Sequence, residues 1–285
     1  METMRDIQIR MKSIESTRQI TETMRLISNR KVQKIKRRME ENRPYYEQAV
    51  KIIGDAALTA RQNPDIRGHA YMAGHGREAK KPLVIVITAD RGLCGGYNSN
   101  ALKEASALMK NFGDADIFAI GTKGRDYFKR RKKNIGAYYR GMSENPFFED
   151  AQAIGAAAIK AFAAREADEV YLVYTEYHTM LLQTPKSVRL LPLDINGGSE
   201  PADYDPGGTE FFEYAVSAYV SARIFGAMLS SAVSEQCARL TGMDSAVKNS
   251  EKIIDSLTLQ YNQMRQSAIT QEIAEIVGGA NAVEK

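Results

Sequence analysis

Residues 240–268 read LTGMDSAVKNSEKIIDSLTLQYNQMRQSA. Leu240, Met243, Val247, Ser250, Ile254, Leu257, Tyr261, Met264 and Ala268 alternate spacings of three and four, and only Ser250 in that row is polar. This is the seam of a coiled coil. Upstream, Phe212 to Cys237 is apolar around most of its circumference, which predicts packing on more than one side. No proline follows Pro206, so one helix is expected from about Thr209 to Val277, stopped by Gly278-Gly279. At ~1.5 Å per residue it is about 105 Å long, against a diameter of roughly 50 Å for a compact chain of this size. Such a helix must project, and its seam needs a second helix.

The N-terminal segment supplies one. Met4, Ile7, Met11 and Ile14 repeat the 3-4-3 spacing. Beyond Ile14 the apolar row is expected to slip onto Ile20, Met24 and Ile27, then Ile35 and Met39, as a local change of supercoil. The helix is predicted from Thr3 to at least Arg43, with Pro44 kinking or ending it and a further helical stretch from Tyr45 to Thr59. Two terminal helices pairing antiparallel (residues 1–60 and 209–285) would form a shaft.

Between them, residues 80–195 alternate in period. Leu83 to Thr88 is a continuous apolar run suited to a parallel strand covered on both faces. A helix (Asn98–Met109), a strand (Asp116–Gly121), a basic helix (Lys123–Lys133), another helix (Phe148–Arg165), a buried strand (Glu169–Thr175) and an edge strand (Ser187–Leu193) are expected to follow. The alternation predicts a Rossmann-like α/β domain, inserted into an antiparallel coiled coil. Residues 62–80 and 194–208 read as loops.

The 285 residues are 44% apolar and 26% charged, the balance of a folded protein. No run of 18 uninterrupted apolar residues occurs, so no segment is expected to span a bilayer alone. The first residues are charged and lack the apolar run of a secretory signal. Two cysteines, Cys94 and Cys237, argue against a disulfide scaffold and suit a reducing compartment. Residues 1–44 hold 12 Lys and Arg against 6 Asp and Glu, whereas residues 209–285 hold 6 against 9. A basic arm fits nucleic acid, anionic lipid, an acidic protein or only a solvated helix face.

Enzyme signals are sparse. TADRGLCGGYNSN at 88–100 is a glycine-rich turn between strand and helix, a place that can cradle phosphate. Its spacing matches neither G-x-G-x-x-G nor G-x-x-x-x-G-K-[ST], so a structural turn is the better reading. Cys94 has no histidine nearby in sequence to activate it. His69 and His75 lack neighbours at metal-ligand spacing. Lys129 to Lys133 is a basic run better read as a solvated helix face than as a nucleic-acid patch. No catalytic constellation, cofactor site or metal site is expected.

Three blocks carry a family resemblance: RQITETMRLISNRKVQK at 18–34, TADRGLCGGYNSN at 88–100, and LTLQYNQMRQSAITQEIAEIVGGANA at 257–282. With the helix–insert–helix layout, the chain resembles over essentially its whole length the gamma subunit of rotary ATP synthase, the central-stalk rotor. The resemblance implies a non-catalytic subunit at the cytoplasmic face of the cell membrane, peripheral to it. Its paired helices would turn inside a ring of alpha and beta subunits, and its globular foot would bind the epsilon subunit and the membrane c ring. Proton flow would drive the rotation, ATP chemistry would occur on the partners, and no cofactor or nucleic acid would be bound. The readings that compete are a coiled-coil nucleic-acid-binding or scaffold protein, and an α/β enzyme using the glycine-rich turn.

Carried over residue by residue, the resemblance places Met24 at the rotor methionine, facing acidic loops of the beta subunits, with Arg30, Lys31 and Lys34 supplying positive charge. Packing within the shaft explains Met24 equally well. Arg265, Gln266, Thr270 and Glu272 match polar positions that meet a catch loop on beta. Tyr204 and Asp205 align with an aromatic–acidic pair facing the c ring, within a stretch that departs from the family pattern. Glu22-Thr23 stands where many relatives have Lys-Ala, and Arg25 where an acid is common.

Overall fold

The computed structural model describes residues 3–62, 68–75, 81–112, 114–194 and 208–283. Its elements in order are helix α1 (Met4–Gln62), a single turn α2 (Ala70–Ala73), strand β1 (Pro82–Ile87), α3 (Tyr97–Met109), β2 (Asp116–Ile120), α4 (Thr122–Arg130), β3 (Ile135–Tyr139), α5 (Phe148–Ala163), β4 (Glu169–Tyr177), β5 (Gln183–Leu191) and α6 (Gly208–Val283). The chain divides into two compact units, residues 28–239 and residues 1–27 with 240–285.

In the first unit five strands lie in the order β3-β2-β1-β4-β5. The first four are parallel, and β5 runs antiparallel to β4. The apolar run of β1 is explained by cover on both faces. Leu83, Ile85 and Ile87 point to one side, against Ile154 and Phe162 of α5, Val216 and Leu229 of α6, and Val32, Ile35 and Ile53 of α1. Val84 and Val86 point to the other, against Leu102 and Met109 of α3 and Phe128 of α4. The apolar girth of α6 between Phe212 and Cys237 is largely buried, with Tyr214 facing outward at 73%, and its 18-residue window of membrane-like hydropathy is 72% buried within the fold.

Several expectations are corrected. Pro44 neither ends nor divides α1, which is continuous to Gln62. Proline forfeits one hydrogen bond, and the burial of Val32 and Ile35 before it and of Ile53 and Ala56 after it holds both sides to the core. The pair Gly278-Gly279 does not stop α6, which runs to Val283. Glycine inside a helix costs about 1 kcal/mol against alanine without forbidding it. Strand β3, at the sheet edge and only half-buried, carried too weak an alternation to be expected, as did the turn α2 within a stretch read as loop.

The second unit is an antiparallel pair of helical segments. Gln8 Nε2 donates to the Tyr261 hydroxyl at 2.8 Å, Arg18 lies 3.8 Å from Glu251, and Arg25 lies 3.2 Å from Asp244. From the second pair to the third, one strand of the coil advances seven residues while the other retreats seven, a single register throughout. The slip expected after Ile14 is absent. The inward positions of α1 continue the 3-4 spacing through Arg18, Thr21 and Arg25, whereas Ile20 is 63% exposed and Ile27 also faces outward. Polar residues hold the seam because each has a partner: Thr21 donates to the Thr17 carbonyl, Arg18 pairs with Glu15 and Glu251, and Arg25 with Glu22 and Asp244. On α6 the seam from Leu240 to Ala268 faces inward as the spacing predicts.

Candidate partner-binding surface

The glycine-rich turn after β1 is built as a staple. Thr88 donates its hydroxyl to the Ile120 carbonyl and accepts from the Gly124 amide. Gly121 sits at φ +93 with its Cα hydrogens against Thr88, where a side chain would collide with the Thr88 carbonyl oxygen at 2.1 Å. Asp90 accepts from the Thr122 amide and hydroxyl, the Gly141 amide and the Ser143 hydroxyl. Burial pushes its carboxyl up, but these hydrogen bonds outweigh it and hold Asp90 below the usual carboxylate range. Asn98 closes the turn, accepting from the Ala89 amide at 2.9 Å and donating to Cys94 Sγ at 3.1 Å.

A doubly wound sheet binds ligands at the carboxyl ends of its strands where the strand order reverses, here between β1 and β4. Helix α6 occupies that crevice. Its Ser231 hydroxyl accepts from the Thr175 amide at 3.1 Å, its Ser230 hydroxyl accepts from the Tyr177 amide at 2.8 Å, and its Ala238 packs on Ala89, Cys94 and Tyr97. The place where a nucleotide would lie is filled by protein. Cys94 is buried, and burial pushes its thiol up, away from the thiolate a nucleophile requires. Burial does the same to Cys237, pushed up to about 11. His69 caps α2 and His75 bonds the Phe162 carbonyl at 2.9 Å, both structural tasks. The basic run leaves the helix at Arg131, which stacks on Tyr127 with its guanidinium 3.6 Å from the ring centre.

Beneath the turn lies a buried ion pair. Glu235 is fully buried, and its Oε1 accepts from Arg239 Nη2 at 2.8 Å, while Arg239 also donates to the Gly92 carbonyl at 3.3 Å. Glu235 Oε2 is buried without a hydrogen-bond partner among the described residues. Burial pushes the Glu235 carboxyl up to about 7 against the opposing pull of Arg239.

The charged positions singled out by sequence separate into free and committed groups. Lys31 donates to Glu144 at 2.8 Å within the α/β unit, so its charge is already matched. Burial pushes the Glu144 carboxyl up, and Lys31 reverses the shift and holds it low. Arg30 and Lys34 are exposed and make no ion pair among the described residues. Met24 is half-buried beside the seam. Arg25, unexpected where an acid is common, is neutralised by Glu22 and Asp244. Tyr204 and Asp205 lie outside the described residues.

Arg265, Gln266, Thr270 and Glu272 are all exposed. The coiled-coil register places Met4 opposite Arg265, so α6 from Gln266 to Val283 extends past the end of α1, by about 27 Å at ~1.5 Å per residue. This free end also exposes Ile269, Ile273, Ile276 and Val277, with Ile276 at 71%. An exposed helix end with several large apolar side chains is a candidate contact surface.

A family model described as ATP synthase matches residues 3–283. The ATP synthase gamma chain of Alkaliphilus metalliredigens is 40% identical over 291 residues, covering 99% of both chains. The chain belongs to the ATP synthase gamma-chain family. A second relative, from Acetobacterium woodii, is named a sodium-ion-specific ATP synthase gamma chain and is 38% identical over 99% of both chains. Among solved structures, a chain of the Euglena gracilis mitochondrial ATP synthase (OSCP, F1 and c ring) matches 98% of this chain at TM-score 0.66 and 17% identity, with 94% of that chain covered. A chain of the Tetrahymena thermophila mitochondrial ATP synthase central stalk and c ring matches 80% of this chain at TM-score 0.64 and 23% identity, with 99% of that chain covered. Both share the fold. The gamma-chain family member described here is thus a non-catalytic subunit of an ATP synthase. The filled crevice accounts physically for a Rossmann-like sheet without chemistry of its own.

Proposed function

We propose that the chain couples ion flow through a membrane c ring to ATP synthesis and hydrolysis in a ring of alpha and beta subunits, as a rotor peripheral to the cytoplasmic face of the membrane. The observation that supports this reading is the free end of α6, which among the described residues pairs with no helix and presents both charged and apolar side chains. Arg265, Gln266, Thr270 and Glu272 are assigned to a loop of the catalytic ring. A guanidinium offers five donors in a fixed plane, suited to carboxylates or carbonyls on such a loop. Met24, Arg30 and Lys34 form a second contact with the ring. Lys31 joins it by exchanging Glu144 for a partner's carboxylate. The epsilon subunit and the c ring meet the α/β unit, the latter through Tyr204 and Asp205.

A hydrogen bond to a charged group is worth about 1.5–3 kcal/mol and an exposed ion pair only ~0–1. Replacing Arg265 and Gln266 together by alanine removes such bonds while keeping the best helix former. The expected result is slower ATP synthesis and hydrolysis by the reconstituted complex, with unchanged subunit stoichiometry on a gel. Unchanged rates in a normally assembled complex refute the assignment of these two side chains.

A further inference from the structure

The α/β unit holds a second feature that the rotor reading leaves unused. A cleft of about 590 Å³ opens between α1, the end of β4 and α6. Its size is that of a pocket for a side chain or small ligand. At its wall stands Arg223 of α6, half-buried, with its guanidinium 5.4 Å from the centre of the Tyr46 ring and one Nη donating to the Tyr46 hydroxyl. Its Nε is buried and has no hydrogen-bond partner among the described residues.

Every other charge on the rim is matched. Lys36 faces Glu40 at 3.8 Å, Arg43 holds Glu47 at 2.7 Å, and Glu176 is shared by Lys186 at 3.3 Å and His178 at 3.6 Å. Among the described residues no carboxylate lies within ion-pair distance of Arg223. Nor can a tyrosinate serve, since burial pushes Tyr174 up to about 12 despite the nearby guanidinium. A partly desolvated guanidinium without an anion is costly, and a planar carboxylate is the group its donor fork fits best.

Two residues beyond His178, which lines the cleft, the β4–β5 turn exposes Met180, Leu181 and Leu182, with Leu181 at 83%. Three consecutive bare apolar side chains on the turn that leaves the wall of a cleft holding an unmatched arginine describe a surface for a polypeptide, because a free anion would leave the apolar turn uncovered. We propose that this cleft receives the carboxylate of an Asp or Glu from another subunit of the complex, with the apolar neighbours of that residue seated on Met180–Leu182. The inference rests on the chain being a subunit of the complex.

The test introduces a photo-crosslinking side chain at Leu181 in the tagged full chain and purifies the assembled complex. The expected product joins Leu181 to another subunit within a few residues of an Asp or Glu. Arg223→Met, which keeps the packing stem, should lower the yield about ten-fold or more. Arg223→Glu should be rescued by replacing the partner's acid with arginine. A complex that assembles fully but crosslinks at Leu181 only within the chain overturns the inference and leaves the rotor reading intact. So does an isolated chain whose melting point is raised by inorganic phosphate in the parent and not in Arg223→Met, which would make the cleft a small-anion site. A tagged chain that purifies alone removes the rotor reading and this inference with it. The crosslink in the parent background requires no change at Arg223, so it decides the matter even where that variant fails to fold.

Discussion

The two units of this chain bury apolar surface to very different degrees. In the α/β unit all of β1 is buried, and helices cover both faces of the sheet. In the coiled-coil unit the seam includes Arg18, Thr21, Arg25 and Ser250, while Ile9, Ile20, Leu26, Ile27, Leu259 and Ile276 face outward. The first unit is closed around its own core. The second is a lightly packed pair of helices whose outer surface carries exposed large apolar side chains, the feature on which its proposed place among other subunits rests. Stability and function are thus assigned to different stretches of the same two helices.

This contrast can be broken most directly by making one chemical change in both units. Ile85→Ala, in the central strand, should destabilise the full chain by about 2–5 kcal/mol through lost burial and the cavity left behind. Ile20→Ala, the same change on the exposed coil, should stay within ~0.5 kcal/mol. Urea midpoints of the two variants decide it. Equal losses would mean that the coil is as closed as the sheet.

A smaller effect should come from Glu235. Below its ordinary value of 4.5 the carboxyl is protonated in folded and unfolded chains alike. Between 4.5 and about 7 only the folded chain keeps the proton, so stability should fall as pH rises through that window and level off above it. The change is on the order of 3 kcal/mol at most. Glu235→Gln should flatten the dependence of the urea midpoint between pH 5 and pH 8, where Asp90 and Glu144, both held low, do not titrate. A slope that survives the substitution would place its origin elsewhere.

The least effect is expected across the coil. Arg25 and Asp244 are both partly exposed, so a double-mutant cycle with Arg25→Ala and Asp244→Ala should return a coupling of ~0–1 kcal/mol, fading with added salt. A coupling several times larger would show that the polar seam, and not its future sleeve, holds the helices together.

Much of this was legible in the primary structure. The α6 seam and the central parallel strands are periodic and dense enough in apolar residues to be read locally, and the three blocks at 18–34, 88–100 and 257–282 carry the family resemblance. The exposure of Arg265, Gln266, Thr270 and Glu272 follows from their lying off the apolar row, whereas their assignment to a partner rests on the resemblance alone. What escaped reading was the commitment of individual charges. Nothing local distinguishes Lys31, bound to Glu144 across 113 positions, from its free neighbours Arg30 and Lys34. Arg223 in its sequence is one basic residue on an apolar helix, and only the packing of Tyr46 and the end of β4 around it leaves it short of an anion.

The sequence by itself therefore determined most of the elements, the apolar face of α6 and the family, because hydrophobic periodicity is a property of neighbours along the chain. Tertiary structure decided which row of α1 became the seam, choosing Arg18, Thr21 and Arg25 over the more apolar Ile20 and Ile27. It also carried α1 through Pro44 and α6 into the crevice where a ligand would otherwise sit. The physical reason is common to all of these. The cost of a polar group or an imperfect helix residue at a given place depends on partners that lie far away in sequence, and those partners exist only once the chain has folded.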